Sequence, residues 1–98
     1  MDIEYKSTKL EKECTDKRKS RTVYGDKIAE RIEQRLNQIT AADSVETMLK
    51  FKIGRCHKLN GNRSDEYALD LVHPHRLIFK EVEGKIKVVM ITEIVDYH

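Results

Sequence analysis

The chain has 98 residues, 37% charged and 39% hydrophobic, enough for one small core and too few for two. No run approaches the ~18 apolar residues of a membrane span, and the opening MDIEYKSTKLEKE lacks the apolar stretch of a signal peptide, so a cytoplasmic setting is expected. A net charge of +2 carries no bulk signature of a nucleic-acid binder.

Taken in order, Ile3 to Tyr5 suits a short first strand. Thr8 followed by Glu11 fits a capping box, in which each side chain satisfies a backbone N–H of the other. The helical segment that follows, to about Thr22, has few apolar anchors, Leu10 and Cys14. Within it KRKSR (17–21) reads as a solvated helix face rather than a phosphate site. Gly25-Asp26 marks a stop and a restart. Ile28, Ile32, Leu36 and Ile39 then recur every three or four residues, one face of an α-helix, with Glu30, Glu33, Gln34 and Asn37 opposite. Ser44, with Glu46 and Thr47 behind it, predicts a short helix ending near Phe51 and closed by Gly54.

The second half changes character. RCHKL (55–59), YALDLV (67–72), RLIFKEV (76–82) and KVVMITEIV (87–95) are β-rich runs. Pro74 and Gly84 punctuate tight turns between the last three, which predicts an antiparallel meander. The apolar run from Val88 to Ile91 suggests a central strand covered on both faces. Helices first and a sheet afterwards predict one α+β domain spanning residues 1–98. Its expected form is a compact antiparallel sheet of four to five strands, with two to three N-terminal helices on one face.

Cys14 and Cys56 lack metal-type spacing and read as two reduced thiols. Charge is uneven along the chain. Residues 52–80 hold six Lys/Arg against three acids, and the last eighteen hold four acids against two lysines, which allows a local positive face in the middle of the chain without requiring one. His73 and His75 flank Pro74, but no third or fourth ligand accompanies them at metal-site spacing, and neither a metal nor a cofactor is expected. In a regular last strand Asp96 and His98 share one face and Tyr97 takes the other, which would set an orienting carboxylate beside an imidazole. Spacing alone fits a solvated polar tail at least as well. Lys58, Arg63 and Arg76, near His57 and His98, form a set suited to a phosphodiester, with cations for the phosphate and imidazoles for proton transfer.

The stretch RCHKLNGNRSDEYALDLVHPHRLIF (55–79) resembles the HigB branch of the RelE/ParE bacterial toxin superfamily. It carries a His-x-Leu-x-Gly segment, an Arg two residues later, a strand, a short turn, and an Arg opening an apolar strand. The terminal EIVDYH also looks like that branch, and the two segments cover about the last 45 residues. The resemblance implies a RelE-like fold and a ribosome-dependent mRNA endonuclease, the toxin of a bacterial type II toxin–antitoxin pair. Carried over by position, His57, Asp96, Tyr97 and His98 match the catalytic set, and Arg63 and Arg76 match positions that hold RNA phosphate. Lys58 joins the substrate-binding residues by charge. The implied partners are the ribosome with its mRNA and a cognate antitoxin, HigA-like and helix-turn-helix, through which alone operator DNA would be met. His75 before Arg76 departs from the aromatic common in relatives, and Ser64-Asp65-Glu66 makes its loop less basic. The rival is a non-enzymatic binding protein on the same scaffold, a topoisomerase-inhibiting toxin of ParE type or an inactive toxin that only binds its antitoxin.

Overall fold

The computed structural model describes residues 1–96 of the chain. In chain order it builds β1 (Asp2–Tyr5), α1 (Thr8–Thr15), α2 (Lys17–Tyr24), α3 (Asp26–Ala41) and α4 (Val45–Lys50). A 3-10 turn (Ile53–Arg55), β2 (His57–Lys58) and a second 3-10 turn (Gly61–Arg63) follow, then β3 (Glu66–Asp70), β4 (His75–Glu81) and β5 (Val88–Asp96).

The segment expected as one helix is two, and Asp16 is the reason. Its backbone is extended, its N–H closes α1 onto the Lys12 carbonyl, and its carboxylate accepts from the N–H groups of Arg18 and Lys19 to open α2. The described residues therefore hold four α-helices rather than two to three. The expected capping box is also displaced by one residue: Ser7, not Thr8, caps α1, its hydroxyl accepting from Leu10 N at 3.1 Å. Ser44 caps α4 as expected, accepting from Thr47 N at 3.1 Å. Gly54 does not close that helix but sits inside the turn beyond it, at φ +58°.

The five strands form one sheet in the order β1-β5-β4-β3-β2. The meander β2 to β5 is antiparallel throughout, as the turn residues predict. β1 pairs with β5 in parallel, so the sheet is mixed rather than purely antiparallel. The helical half carries the chain from β1 to β2 at the opposite edge, antiparallel to β1, and the three reversals of the meander then bring β5 back parallel beside β1 with no hairpin joining the two.

One sheet face carries the helices. Leu10 and Cys14 of α1, Ile32, Leu36 and Ile39 of α3, and Val45 and Met48 of α4 bury against Leu69, Leu77, Phe79, Val89 and Ile91. Each fully buried aliphatic or aromatic side chain here contributes about 1.5–3 kcal/mol. Phe79 also stacks on Tyr67, centroids 5.5 Å apart. Burial pushes the thiol of Cys14 up to about 12 and that of Cys56 to about 11, so both are neutral apolar groups in this core. β5 is interior, yet only Val89 and Ile91 of its apolar run are fully buried; Val88 and Met90, on the other face, are partly covered.

Candidate functional site

The sheet face away from the helices is polar, and strand alternation fixes what stands on it. His57 pairs with Ala68, Ala68 with Ile78, and Ile78 with Glu93, so these four share a row. Asp70 opposite Arg76 makes the row on one side of it, and Glu66 opposite Lys80 the row on the other. Ala68 and Ile78 are wholly buried here, outside the helix-side core.

A β-bulge decides which end of β5 reaches this face. Phe79 opposes Ile91 and Ile78 opposes Glu93, which leaves Thr92 without a cross-strand partner. The extra residue inverts the alternation. Val89 and Ile91 face the helices before it, Ile94 after it, and Glu93 and Val95 turn to the open face. The bulge precedes Asp96 and so sets which side of the sheet Asp96 takes. Asp96 pairs with His75 on the helix side of the sheet, where His75 meets the Tyr24 ring edge to face, and His57 stands on the other side. Tyr97 and His98 lie outside the described residues.

The bulge also anchors a charge cluster. Thr92 Oγ1 donates to Glu66 Oε2 at 2.9 Å. Arg63 donates from Nε to Glu66 Oε1 at 2.8 Å, from Nη2 to Glu66 Oε2 at 3.3 Å, and from Nη2 to Glu93 Oε1. These bonds hold the Glu66 carboxyl below the usual carboxylate range and the Arg63 guanidinium above its ordinary value. Lys80 and Lys6 complete the walls of a cleft of about 260 Å³ here. Arg63, expected to hold phosphate, is thus already tied to two carboxylates.

The other half of the face centres on His57. Its Nδ1 stands 2.9 Å from the Arg55 carbonyl oxygen. A carbonyl only accepts, so Nδ1 carries the proton of the neutral ring and Nε2 is left as the basic nitrogen. Arg55 reaches Asp70 Oδ2 with Nε at 3.4 Å, and Arg76 reaches Asp70 Oδ1 with Nε at 3.4 Å. Among the described residues Asp70 Oδ1 is buried and makes no hydrogen bond, and it meets Arg76 through that ion pair.

The backbone that presents Arg55 and His57 is unusual. Lys52, Gly54 and Arg55 all have positive φ, at 51°, 58° and 56°, and two of them are not glycine. Arg35 of α3 lies against this turn. Its Nε donates to the Asp70 carbonyl at 2.7 Å and its Nη1 to Gln38 Oε1 at 3.0 Å. Burial lowers its pKa, with Arg31 nearby adding to the effect. A Cβ on Gly54 would stand 2.8 Å from Arg35 Nε, so glycine is needed for close approach as well as for φ.

Of the residues singled out from the sequence, the open face gathers His57, Arg63 and Arg76. Lys58 pairs with Tyr67, so it points to the helix side at the sheet edge, and Asp96 points to that side too. Arg55, Asp70, Glu66, Glu93, Thr92 and Arg35 were not singled out. Two of them left a trace: Asp70 interrupts the apolar run YALDLV, and Arg35 falls on the Ile28–Ile32–Ile39 stripe of α3.

No protein-family model and no curated protein matches the sequence. Solved structures do match in shape. The YoeB–YefM complex from Staphylococcus aureus holds a chain aligned at TM-score 0.65 and 21% identity, over 100% of this chain and 97% of that one. The YoeB dimer from the same organism aligns at 0.64 and 21%, with the same coverage. A YoeB/ParE toxin from Agrobacterium tumefaciens aligns at 0.65 and 10%, over 100% of both chains. The fold is that of these toxins. The HigB branch to which the motifs point is not the one these structures represent. Among the described residues no helix is long and apolar enough to cross a membrane.

Proposed function

We propose that this protein is the toxin of a type II toxin–antitoxin pair, of HigB type, and that it cleaves mRNA on the ribosome. The observation that carries the reading is His57, fixed by the Arg55 carbonyl as a base at Nε2 on an open sheet face that also holds Arg76. In the proposed reaction a base takes the 2′-hydroxyl proton and the 2′ oxygen bonds to phosphorus. The 5′ oxygen then leaves with a proton from an acid, giving a 2′,3′-cyclic phosphate. Arginine guanidinium carries the charge that builds on the phosphorane. His57 and His98 share the acid–base work and Tyr97 holds the exposed nucleotide by stacking; Asp96, on the other side of the sheet from His57, orients or protonates only from the end of β5, beside His98 rather than beside His57. Arg76 binds phosphate. Arg63 joins it only by exchanging a carboxylate for a phosphate, and Lys58 acts at the edge of the sheet.

In this reading the ribosome supplies the orientation of the mRNA; the net charge of +2 is lower than that of a typical ribosome-docking toxin and does not itself support the reading. A cognate antitoxin follows from a chemistry that a cell must restrain. The complex of YoeB with YefM supports such a partner by analogy of fold, and the motif resemblance supports a HigA-like helix-turn-helix protein. A second reading, a non-enzymatic binding toxin, draws on the shape match to a YoeB/ParE toxin and on the carboxylates that occupy Arg63.

Inducible expression in a bacterial host, with mRNA 3′ ends mapped after induction, separates the two. Wild type should arrest growth and leave cuts inside translated codons. His57→Ala and His98→Ala, accumulating to wild-type levels, should abolish both. Arrest without cuts would transfer support to the binding reading.

A further inference from the structure

Resting on the nuclease reading, we propose that the cleft beside Arg63 is a subsite for one nucleotide next to the cut, and that Glu93 selects there for a base that carries an exocyclic amine.

Register sets the distance from the proposed base. His57, Ala68, Ile78 and Glu93 follow one another across four strands. Three strand spacings separate the first from the last, about 14 Å. That is too far for Glu93 to touch a phosphodiester reacting at His57, and near enough to meet a neighbouring nucleotide on the same face. Glu93 stands on this face only because of the bulge at Thr92. Bulges beside functional sites re-aim side chains in this way.

The walls of the cleft divide the work. The Glu66 carboxylate is consumed, its Oε1 accepting from Arg63 Nε and its Oε2 from Arg63 Nη2 and Thr92 Oγ1. Glu93 is held through Oε1 alone, by Arg63 Nη2, and its side chain is 40% exposed. Its Oε2 therefore remains as an acceptor at the cleft, and Arg63 acts as the positioning residue that fixes it. Arg63 Nη1 makes no bond among the described residues and adds a donor beside that acceptor. Met90 shares a row with Lys80 and Glu66 and lines the cleft with a thioether, an apolar surface for a planar ring. Lys6 and Lys80 line it too, form no ion pair among the described residues, and serve the phosphate of the same nucleotide.

The bases differ in what they bring to that acceptor. Adenine, cytosine and guanine carry an amino group from which a carboxylate accepts, and adenine and cytosine place a ring nitrogen beside it for the guanidinium. Uracil carries only a ring N–H, set between two carbonyl oxygens that a carboxylate repels. The volume of about 260 Å³ has room for a single base. Glu66 and Thr92 already hold Arg63, so the recognition pair needs little further ordering when a base enters.

The test uses the purified full chain and three uncleavable 2′-O-methyl oligonucleotides of equal length, one each of adenine, cytosine and uracil, followed by fluorescence anisotropy. The wild type should bind the adenine and cytosine strands about tenfold more tightly than the uracil strand. Glu93→Gln should abolish that preference, because Arg63 keeps Oε1 and the amide nitrogen then stands where the acceptor was. Glu83→Gln, the same charge lost from an exposed turn, should leave the ratios as they are. Lys80→Gln should weaken all three strands alike and reduce the slope of log K against log salt by about 0.7. A variant that failed to fold would lose all three strands, so the ratio separates selection from stability. In cells, mRNA 3′ ends mapped after induction should be depleted of uracil at one fixed offset from the cut, and Glu93→Gln should remove the depletion.

Strands bound equally by the wild type, or the same preference in Glu93→Gln, would overturn the subsite. A wild type that prefers adenine and cytosine yet leaves mRNA uncut in cells would keep the subsite and remove the nuclease. Cuts whose flanking bases are the same in wild type and Glu93→Gln would do the reverse.

Discussion

Gly54→Ala tests the link between the helical half and the turn that presents His57. The added methyl meets two separate costs. At φ +58° a Cβ crowds the backbone, worth about 1–2 kcal/mol. The same Cβ would lie 2.8 Å from Arg35 Nε and 3.0 Å from its Cδ, well inside contact distance. Arg35 is buried, 9% exposed, so it yields only by leaving the Asp70 carbonyl it holds at 2.7 Å. Losing a hydrogen bond from a charged donor adds about 1.5–3 kcal/mol. The expected total is about 2.5–5 kcal/mol, a large part of the stability of a domain this size. Gly61→Ala is the control: its φ is +70°, but nothing lies within 4 Å of the added methyl, so only the backbone cost applies. Urea unfolding at fixed pH, with unchanged m-values, measures both variants. In an Arg35→Met background the excess cost of Gly54→Ala over Gly61→Ala should shrink, because the bond it breaks is already gone. Equal losses for the two glycine variants in the wild-type background would refute the idea that Arg35 buttresses this turn.

Acid should probe the Glu66 cluster. The folded-state pKa of Glu66 is depressed, so its contribution is present above the ordinary glutamate value of about 4.3 and is lost as pH falls through the lower folded value. Urea unfolding from neutral pH downward should therefore show a smaller acid loss for Glu66→Gln than for the wild type; parallel curves would count against it. Alkali should probe the thiols. Cys14 and Cys56 are raised to about 12 and about 11, so their stabilisation is complete below the ordinary thiol range and falls as pH rises through it toward the folded values. By about pH 10 each thiol should cost about 1–2 kcal/mol of stability. Cys14→Ala/Cys56→Ala, though less stable at neutral pH, should lose less between pH 8 and about pH 10.

Residue pattern alone determined the α+β class, the helix of Ile28, Ile32, Leu36 and Ile39, and the antiparallel meander marked by Pro74 and Gly84. These follow from periodicity and turn chemistry, which act over a few neighbouring residues. His57 and Arg76 were legible as site candidates because a chemical residue type at a strand edge shows in the string itself. Tertiary structure decided the rest. Asp16 as a double cap depends on backbone angles that the letters ECTDKRK do not specify. β1 finds its parallel place beside β5 across the whole chain, a pairing to which no local signal points. The bulge at Thr92 changes which side of the sheet Asp96 faces, and it rests on a cross-strand count with β4 rather than on β5 alone. Asp70 gathers Arg55 and Arg76 from two other segments of the chain, and Arg35 supports them from a helix thirty-five residues away in sequence. Local chemistry chose the elements. Register between distant strands chose which side chains share a face, since one inserted residue inverts every position beyond it.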